Sequence, residues 1–497
     1  MSANHFDVLI VGGGLSGIGA ACSLKAHCPG KTYAILEARP SVGGTWDLFR
    51  YPGIRSDSDM FTLGYSFRPW VEGKAIADGD SILKYINDTA KDYGIDKNIR
   101  LNHSVKRADW SSKDARWTVE AECAPNQQPV RFTCSFLFLC SGYYSYAGGY
   151  TPVFPGIERF QGPVIHPQKW PEDLAYANKR VVVIGSGATA VTLVPAMAKT
   201  AARVTMLQRS PTYVVARPEQ DALANFLRRH FPSMIAYNIV RWRNILFGIY
   251  FYGLCQRSPE RVKKWILNRV RGALGNDFDV STHFTPRYNP WDQRMCLVPD
   301  GDLFEAIKQG KAAVVTDGIE TITEKGIKLR SGTELEADII VTATGLQLVA
   351  FGNIRLSVDG RSIDPAKTLN YKGTMYGGIP NLASTFGYTN ASWTLKAELT
   401  CDYICRVLNH MDRNGYQVCV PQNDDPSIKE EPWLNLSSGY IQRSAEILPK
   451  QGSKTPWKLH QNYVKDVMSL KFGSLDDGVL KYLRRAANME LGSAPAG

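Results

Sequence analysis

The chain has 497 residues, more than the roughly 250 to 300 that a single hydrophobic core supports. Its 44% hydrophobic and 21% charged residues exclude collagen-like, coiled-coil and wholly disordered chains, and its net charge of +11 favours anionic partners. The ten cysteines form no C-x-x-C pair and no His/Cys cluster at zinc spacing, so we expect neither a disulfide scaffold nor a bound metal. No secretion signal is evident, and we expect a cytoplasmic protein.

The N-terminal segment has the pattern of a strand, a glycine turn and a helix. An apolar run over residues 6–11 leads into the turn, and a second predicted strand over residues 32–36 ends in Glu37. The turn contains a G-x-G-x-x-G motif formed by Gly12, Gly14 and Gly17. Gly12 would make the tight turn, Gly14 would let the backbone approach a pyrophosphate, and Gly17 would let helix and strand pack closely. An acid such as Glu37 binds a ribose hydroxyl. We predict a dinucleotide site here; a glycine turn without a ligand is the alternative.

A second unit of the same kind follows. A predicted strand over residues 180–184 leads into a turn, a helix through Met197 and a strand over residues 204–207. The turn consists of Gly185, Ser186, Gly187, Ala188, Thr189 and Ala190. The last strand leads to Arg209 and Ser210 instead of an acid, and a guanidinium and a hydroxyl bind the 2′-phosphate that an acid repels. Unless Arg209 is an ordinary surface charge, we predict NADPH here, FAD at the first unit, and hydride transfer between them.

Residues 218–289 are helical in character and strongly basic. Residues 228–271 hold ten Lys or Arg against one acid, Glu260. Residues 245–254 (ILFGIYFYGL) are apolar, but this run is shorter than the about 20 residues that a transmembrane helix needs. We expect a buried helix beneath a substrate pocket; contact with a membrane surface is the less favoured alternative.

These units together predict an α/β fold with two Rossmann-like dinucleotide-binding domains, one for FAD and one for NADPH, and a helical insertion. Two further predicted strands, residues 136–140 and 338–342, end in glycine turns and would carry the chain between the domains. The predicted division assigns 1–144 and 346–497 to the FAD-binding domain, 145–217 and 290–345 to the NADPH-binding domain, and 218–289 to the insertion.

The connection between the two units contains a motif that resembles a family fingerprint. It reads FQGPVIHPQKWP, with defining residues Phe160, Gly162, His166, Trp170 and Pro171. The pattern F-x-G-x-x-x-H-x-x-x-W-P between two Rossmann units is similar to the fingerprint of type I Baeyer–Villiger monooxygenases. Flavin monooxygenases that oxygenate only heteroatoms usually end it in Tyr. Residues 43–60 and 283–304 look most like the ethionamide-activating branch of the family.

This resemblance implies a reaction and a catalytic pair. In the family NADPH reduces FAD, dioxygen adds to give a C4a-peroxyflavin, and the peroxide attacks a ketone to form an ester or lactone. The peroxide and the adduct are anions, so the site needs a cation that stays charged at neutral pH. The family's catalytic arginine corresponds to Arg294 and its acid partner to Asp57. A surface salt bridge of little energetic weight is the alternative.

The resemblance also assigns cofactor contacts. Positions similar to the family's FAD contacts are Ser16, Glu37, Gly44, Thr45, Trp46, Asp47, Leu48, Asp57 and Val105. Arg55 and Ser56 resemble contacts on NADPH, and Gln293 replaces a lysine common in the family. His166 and Trp170 are expected to couple domain rotation to NADPH retention. Weaker candidates for the flavin edge and the pocket, for which packing is an equal explanation, are Asn390, Ser392, Trp393 and Trp433.

Other functions are weaker alternatives. A heteroatom oxygenase shares both cofactors, but Trp170 disfavours it as the main role and leaves sulfoxidation as a side activity. A flavin disulfide reductase needs a redox-active cysteine pair, which the cysteine spacing does not provide. A cofactor-binding protein without activity conflicts with the presence of both Asp57 and Arg294. We expect a ketone or sulfide and O2 as substrates, no nucleic acid as partner, and a monomer or homodimer.

Overall fold

The structure is a computed structural model and describes residues 4–434 and 436–484 of the chain. Its helices are α1 (Leu15–His27), α2 (Thr45–Leu48), α3 (Met60–Leu63), α4 (Gly79–Asp92), α5 (Ala188–Met197), α6 (Ala222–His230), α7 (Ser233–Arg257), α8 (Pro259–Leu274), α9 (Val280–His283), α10 (Asp302–Lys308), α11 (Trp393–Asn414), α12 (Gly439–Gln442) and α13 (Tyr463–Asp466), which a π-helical segment, Val467–Phe472, follows. Its strands are β1 (His5–Val11), β2 (Tyr33–Leu36), β3 (Ile99–Arg100), β4 (His103–Ser111), β5 (Arg116–Cys123), β6 (Gln128–Leu139), β7 (Val164–Ile165), β8 (Arg180–Ile184), β9 (Arg203–Gln208), β10 (Val214–Arg217), β11 (Cys296–Pro299), β12 (Ala312–Thr316), β13 (Ile319–Ile322), β14 (Gly326–Leu329), β15 (Glu334–Glu336), β16 (Ile339–Thr342), β17 (Arg355–Val358), β18 (Arg361–Ser362), β19 (Asn370–Tyr371), β20 (Met375–Tyr376), β21 (Leu382–Ser384), β22 (Val418–Pro421), β23 (Glu430–Pro432), β24 (Lys450–Gly452) and β25 (Leu480–Leu483).

The larger sheet is built around the first nucleotide unit. Strand β1 is parallel to β2 on one side and to β6 on the other, and β4, β5 and β6 form an antiparallel meander. Strands β17 and β21, from the C-terminal part of the chain, pair with β4 and β6. The sheet therefore joins segments from both ends of the chain, while the domain boundaries given above stay predictions.

The smaller sheet carries the second nucleotide unit. Its strands are all parallel, in the order β12, β9, β8, β16, β7. Helix α5 follows β8, and its buried apolar residues pack in one core with residues of β9, β16 and α8. The helices α6 to α9 lie between β10 and β11, where the insertion was predicted. The predicted fold, two Rossmann-like units with a helical insertion, is confirmed.

The two nucleotide units share a turn geometry that requires glycine. Gly12 follows β1 with φ +108°, and Gly185 follows β8 with φ +140°. A Cβ on Gly12 would overlap the carbonyl oxygen of Cys140, and one on Gly185 would overlap that of Ala343. Cys140 directly follows β6 and Ala343 directly follows β16, so each turn packs against the end of the adjacent strand. A side chain at either position would push the turn away from the sheet.

Helix α7 differs from the buried helix that its apolar sequence suggests. Ile245 is 4% exposed, but Leu246 is 55% exposed and Tyr250 is 68% exposed. The expectation of burial therefore holds for one face only, and the opposite face is apolar as well. None of the helices in the two described ranges combines the length and apolarity needed to cross a bilayer.

Candidate active site

A cavity of about 500 Å³ lies at the carboxyl ends of β1 and β2. We call it the smaller cavity. Its walls include most of the residues predicted to contact FAD: Gly12, Gly14, Ser16, Glu37, Gly44, Thr45, Trp46, Asp57 and Val105. Arg55, Ser56, Ala188, Thr189 and Arg294 lie on the same walls. One cavity thus brings together predicted residues from both nucleotide units and the catalytic pair.

Two glycine segments pack against each other at the floor of the smaller cavity. The amide of Gly43 donates to the carbonyl oxygen of Gly13 at 3.0 Å, and a Cβ on Gly44 would lie 3.1 Å from the Cα of Gly14. Gly14 also precedes α1 and brings no side chain to cap the helix. The first-turn amides of α1 are therefore open to an anion, as a pyrophosphate requires. This cradle fits the diphosphate of a dinucleotide.

Glu37 is held at the end of β2 by two backbone amides. Its Oε2 accepts from the amide of Gly13 at 2.6 Å, and its Oε1 accepts from the amide of Arg39 at 2.9 Å. Burial raises the pKa of Glu37, and the two amides act in the opposite direction. The carboxylate thus links the glycine turn to the end of β2. It also lines the smaller cavity, where it can accept a hydrogen bond from a ribose hydroxyl.

Three predicted FAD contacts lie behind the cavity wall. Asp47 is buried and accepts hydrogen bonds from Arg39, Ser41 and Arg50 at 2.7 to 2.9 Å. Leu48 packs against the core of the smaller sheet, and Gly17 allows close contact with the carbonyl oxygen of Gly12. In the structure these residues hold the loops in place instead of facing the cavity, because their polar atoms and surfaces are occupied by the protein itself.

The second nucleotide turn is open to solvent. Gly187 and Ala188 are exposed at the start of α5, whereas Ala190 is buried beneath the helix. The Ser186 hydroxyl donates to the carbonyl oxygen of Ser210 at 3.2 Å. Arg209 and Ser210 are both exposed just beyond β9. Ser210 therefore lies beside this turn and Arg209 precedes Ser210 in the chain, while their contact with a 2′-phosphate stays a prediction.

Arg55 has a partner that the sequence did not reveal. Its guanidinium donates to the carboxylate of Asp302 at 2.5 and 3.3 Å. Asp302 opens α10 and is 247 residues away along the chain. The neighbouring Ser56 is buried, and its hydroxyl accepts from the amide of Ser58 at 2.9 Å. This segment is consequently fixed to the second nucleotide unit.

Asp57 and Arg294 form the predicted pair. Nη2 of Arg294 lies 2.8 Å from Oδ2 of Asp57, and the side chains are 35% and 31% exposed. The negative charge of Asp57 is the main cause that raises the pKa of Arg294, against the opposing effect of burial. The guanidinium therefore stays protonated at any pH at which the protein works.

A second cavity of about 760 Å³ begins at this pair. We call it the larger cavity. Helix α7 supplies much of its wall through apolar and aromatic side chains: Ile245, Phe247, Ile249, Phe251 and Leu254. The two cavities share four lining residues: Asp57, Ser58, Arg294 and Leu297. A molecule in the larger cavity and a cofactor in the smaller one would meet at the guanidinium of Arg294.

Tyrosines surround Arg294, and sequence reasoning did not find them. Tyr143, Tyr144 and Tyr440 each have a pKa that burial raises and that the charge of Arg294 lowers. The hydroxyls of Tyr143 and Tyr144 are hydrogen-bonded at 2.6 Å. Tyr143 and Tyr144 directly follow the glycine turn after β6. This position in the chain is the one sequence signal that could have placed these two tyrosines near a cofactor; Tyr440 has no such signal.

The weaker candidates are divided between the two cavities. Trp393 stacks on Tyr143 with ring centroids 5.1 Å apart, and its Nε1 donates to the Ser16 hydroxyl at 2.7 Å in the smaller cavity. Asn390 and Ser392 line the larger cavity. Trp433 is buried against Phe386, with ring centroids 4.3 Å apart, which fits a packing role.

The fingerprint residues lie at the edge of the smaller sheet. Strand β7 pairs with β16 immediately before His166, whose Nε2 is 3.1 Å from the carbonyl oxygen of Gly345. Burial lowers the pKa of His166, which favours the neutral ring.

The other fingerprint residues pack around the same sheet. Trp170 packs against the core of the smaller sheet, and Phe160 against its other face. A Cβ on Gly162 would overlap the carbonyl oxygen of Asp338, and Pro171 is exposed. Their expected role in domain rotation stays a prediction.

Known proteins resemble this chain over nearly its whole length. Residues 74–359 match the family described as flavin-binding monooxygenase-like, and residues 10–71 match an NAD(P)-binding Rossmann-like domain. The chain is 55% identical to the FAD-containing monooxygenase EthA of Mycobacterium tuberculosis (strain ATCC 25618 / H37Rv), across 97% of this chain and 99% of that protein. It is 51% identical to EthA of Mycolicibacterium smegmatis, across 99% of both.

Solved structures share the fold at lower identity. A steroid monooxygenase bound to NADP superposes with a TM-score of 0.71 at 24% identity, covering 84% of this chain and 88% of the other. An open form of cyclohexanone monooxygenase gives a TM-score of 0.73 at 19% identity, covering 85% and 91%.

Proposed function

The chain belongs to the flavin-binding monooxygenase-like family and is an FAD-dependent monooxygenase, and from this premise we propose that it catalyses Baeyer–Villiger oxidation of ketones with NADPH as reductant. Its relatives confirm the predicted family, the enzyme class and the flavin cofactor. The more specific reaction rests on the position of Arg294, at the junction of the two cavities.

Arg294 is suited to stabilise an anion that forms between a cofactor and a ketone. When bound, reduced FAD supplies the electrons for oxygen insertion. As the ketone carbonyl becomes tetrahedral, its oxygen gains negative charge, and a fixed guanidinium stabilises that charge more than it stabilises the neutral ketone. Asp57 orients the guanidinium through the 2.8 Å contact. Asp57 is therefore a positioning residue for Arg294.

The two cavities divide the remaining tasks. The smaller cavity would hold FAD, with its diphosphate at the Gly14 and Gly44 segments and a ribose near Glu37. The larger cavity would hold the ketone, because apolar side chains of α7 bind a hydrocarbon body and exclude water. NADPH would lie along the second nucleotide turn with its 2′-phosphate at Arg209 and Ser210.

Product identity tests this proposal more sharply than NADPH consumption, since an uncoupled flavoprotein also oxidises NADPH. FAD-loaded protein with NADPH is incubated with 2-alkanones, cyclic ketones, phenylacetone and thioanisole, and products are read by mass spectrometry. We expect esters or lactones one oxygen heavier than the ketone. Arg294→Ala should abolish them, whereas the matched control Arg257→Ala, also on the larger cavity wall, should retain them.

Three results would contradict the proposal. Sulfoxide as the only oxygenated product would assign the protein to the heteroatom oxygenases. Hydrogen peroxide without any oxygenated product would mean that the two cavities do not cooperate in oxygen transfer. Ester formation that survives Arg294→Ala would remove Arg294 from the chemistry.

A further inference from the structure

One face of α7 presents an exposed row of apolar side chains. Ile235, Ile239, Trp242, Leu246 and Tyr250 are spaced by three or four residues, so they lie along one side of the helix. Their exposed fractions run from 44% to 68%. A helix on the surface of a globular protein normally turns polar residues to this side. We call these five residues the apolar stripe.

A second exposed apolar row adjoins the stripe. Val464, Met468 and Phe472 follow at four-residue spacing and are 40%, 61% and 66% exposed. Trp242 of the stripe contacts Tyr463, next to this row, edge to face with ring centroids 5.8 Å apart. The two rows thus form a continuous apolar area, and such areas on a protein surface mark interaction sites.

Exposed cations surround this area. They lie at the end of α6, at the end of α7, on α8 and beside the second row: Arg229, Arg257, Arg261, Lys264, Lys465 and Lys471. Within residues 4–434 and 436–484 none of these six forms an ion pair. An apolar area with a rim of free positive charge complements a surface that has hydrocarbon beneath anionic groups.

The larger cavity opens beside the stripe. Phe247 and Tyr250 line this cavity and are also 53% and 68% exposed. Tyr463 and Lys465, at the second row, line it from the other side. The mouth of the cavity is therefore framed by Tyr250 of the stripe and by residues next to the stripe and to the second row.

We propose that the apolar stripe and its basic rim dock the protein on the surface of an anionic lipid bilayer, with the mouth of the larger cavity against the lipid. The helix would lie in the interface, since it lacks the apolarity to cross the bilayer. A second copy of the chain is a poorer occupant because it would bring the same positive rim to the same surface. This inference concerns location on a membrane and holds whichever substrate the enzyme oxidises.

Vesicle binding of the full-length, FAD-loaded protein tests the proposal. Vesicles of phosphatidylcholine with roughly 30% phosphatidylglycerol, and vesicles of phosphatidylcholine alone, are sedimented with the protein at physiological ionic strength. We expect at least tenfold tighter binding to the anionic vesicles. The triple variant Ile235→Gln, Ile239→Gln, Leu246→Gln should lose at least tenfold of this binding, as should Arg261→Ser with Lys264→Ser.

A matched triple variant separates the stripe from apolar exposure in general. Leu101→Gln, Val153→Gln and Ile447→Gln replace exposed apolar residues outside the stripe and should bind vesicles like the unchanged protein. Bound FAD absorbance checks that each variant is folded. Equal binding by both triple variants would overturn the proposal. So would a dimer that the stripe variant dissociates, seen by light scattering, in a protein that does not bind vesicles.

Discussion

Replacing Glu37 by Gln tests how the first nucleotide site is assembled. The carboxylate accepts two backbone hydrogen bonds, from Gly13 at 2.6 Å and from Arg39 at 2.9 Å, and the side chain is 4% exposed. A glutamine has one oxygen and one NH2 group in the same space. One amide would therefore keep an acceptor while the other faces a donor, whichever way the side chain is turned.

The cost follows from this geometry. A buried amide that loses its acceptor costs about 1 to 3 kcal/mol. Because Gly13 is part of the turn that faces the diphosphate, we expect this cost to be divided between the stability of the apoprotein and the affinity for FAD. At about 1.4 kcal/mol per tenfold, the Kd for FAD should rise by up to roughly 150-fold, and the part of the cost that does not appear in the Kd should lower the Tm of the apoprotein.

The assay is a fluorescence titration of apoprotein with FAD, together with thermal unfolding of the apoprotein. The matched control is Glu122→Gln, an acid on β5 whose side chain is 41% exposed and pairs with Lys106 at 3.2 Å. We expect the control to keep the Kd and Tm of the unchanged protein. A Kd and a Tm for Glu37→Gln within experimental error of the control would refute the role assigned to the carboxylate.

Three further changes test the other parts of the site. Arg209→Ala should raise the KM for NADPH about tenfold or more and leave that for NADH unchanged, because it removes a charge-assisted bond worth about 1.5 to 3 kcal/mol; an equal change for both would contradict the assignment. Asp57→Ala should lower ester formation at least about tenfold while NADPH oxidation continues, since Arg294 loses its orientation; unchanged coupling would contradict it. Burial lowers the pKa of His166, so the folded protein should lose stability as pH falls through about 6.5, and Tm measured across that range should vary less in His166→Gln.

The nucleotide folds were predictable because their signals are local. Each strand, glycine turn and helix lies within a short stretch, and the predicted strand over residues 180–184 matches β8 in full. The turn after β8 needs glycine because its backbone has a positive φ, which glycine adopts without strain in any sequence. The predicted division of the chain into domains stays a prediction. Strand pairings such as β17 with β4 were not predictable, because the two strands lie far apart along the chain and a strand as short as Arg355–Val358 leaves little pattern.

The catalytic pair was predictable only from the family resemblance. The residues around Asp57 and Arg294 show no pattern that predicts an ion pair between positions so distant along the chain. Asp302 was missed for the same reason, since its partner Arg55 lies 247 residues away. Tyr440 follows no motif at all. Asp47 and Leu48 lie behind the wall because sequence patterns do not show which neighbours a side chain already has. Gly17 lies there because it packs the helix closely against the turn, as its place in the motif predicts.

The burial of α7 explains how one helix can serve both the site and the surface. Its sequence places apolar residues on every side of the helix, and periodicity alone predicts that such a helix is buried. The structure divides it: Ile245 closes the larger cavity from within, while Leu246, the next residue, faces out at 55% exposure. The folded protein leaves this outward hydrocarbon in water, which is unfavourable by about 25 cal/mol per Å². This exposed apolar surface lies next to free cations and the mouth of the larger cavity. A lipid partner explains that combination, whereas packing within the chain does not.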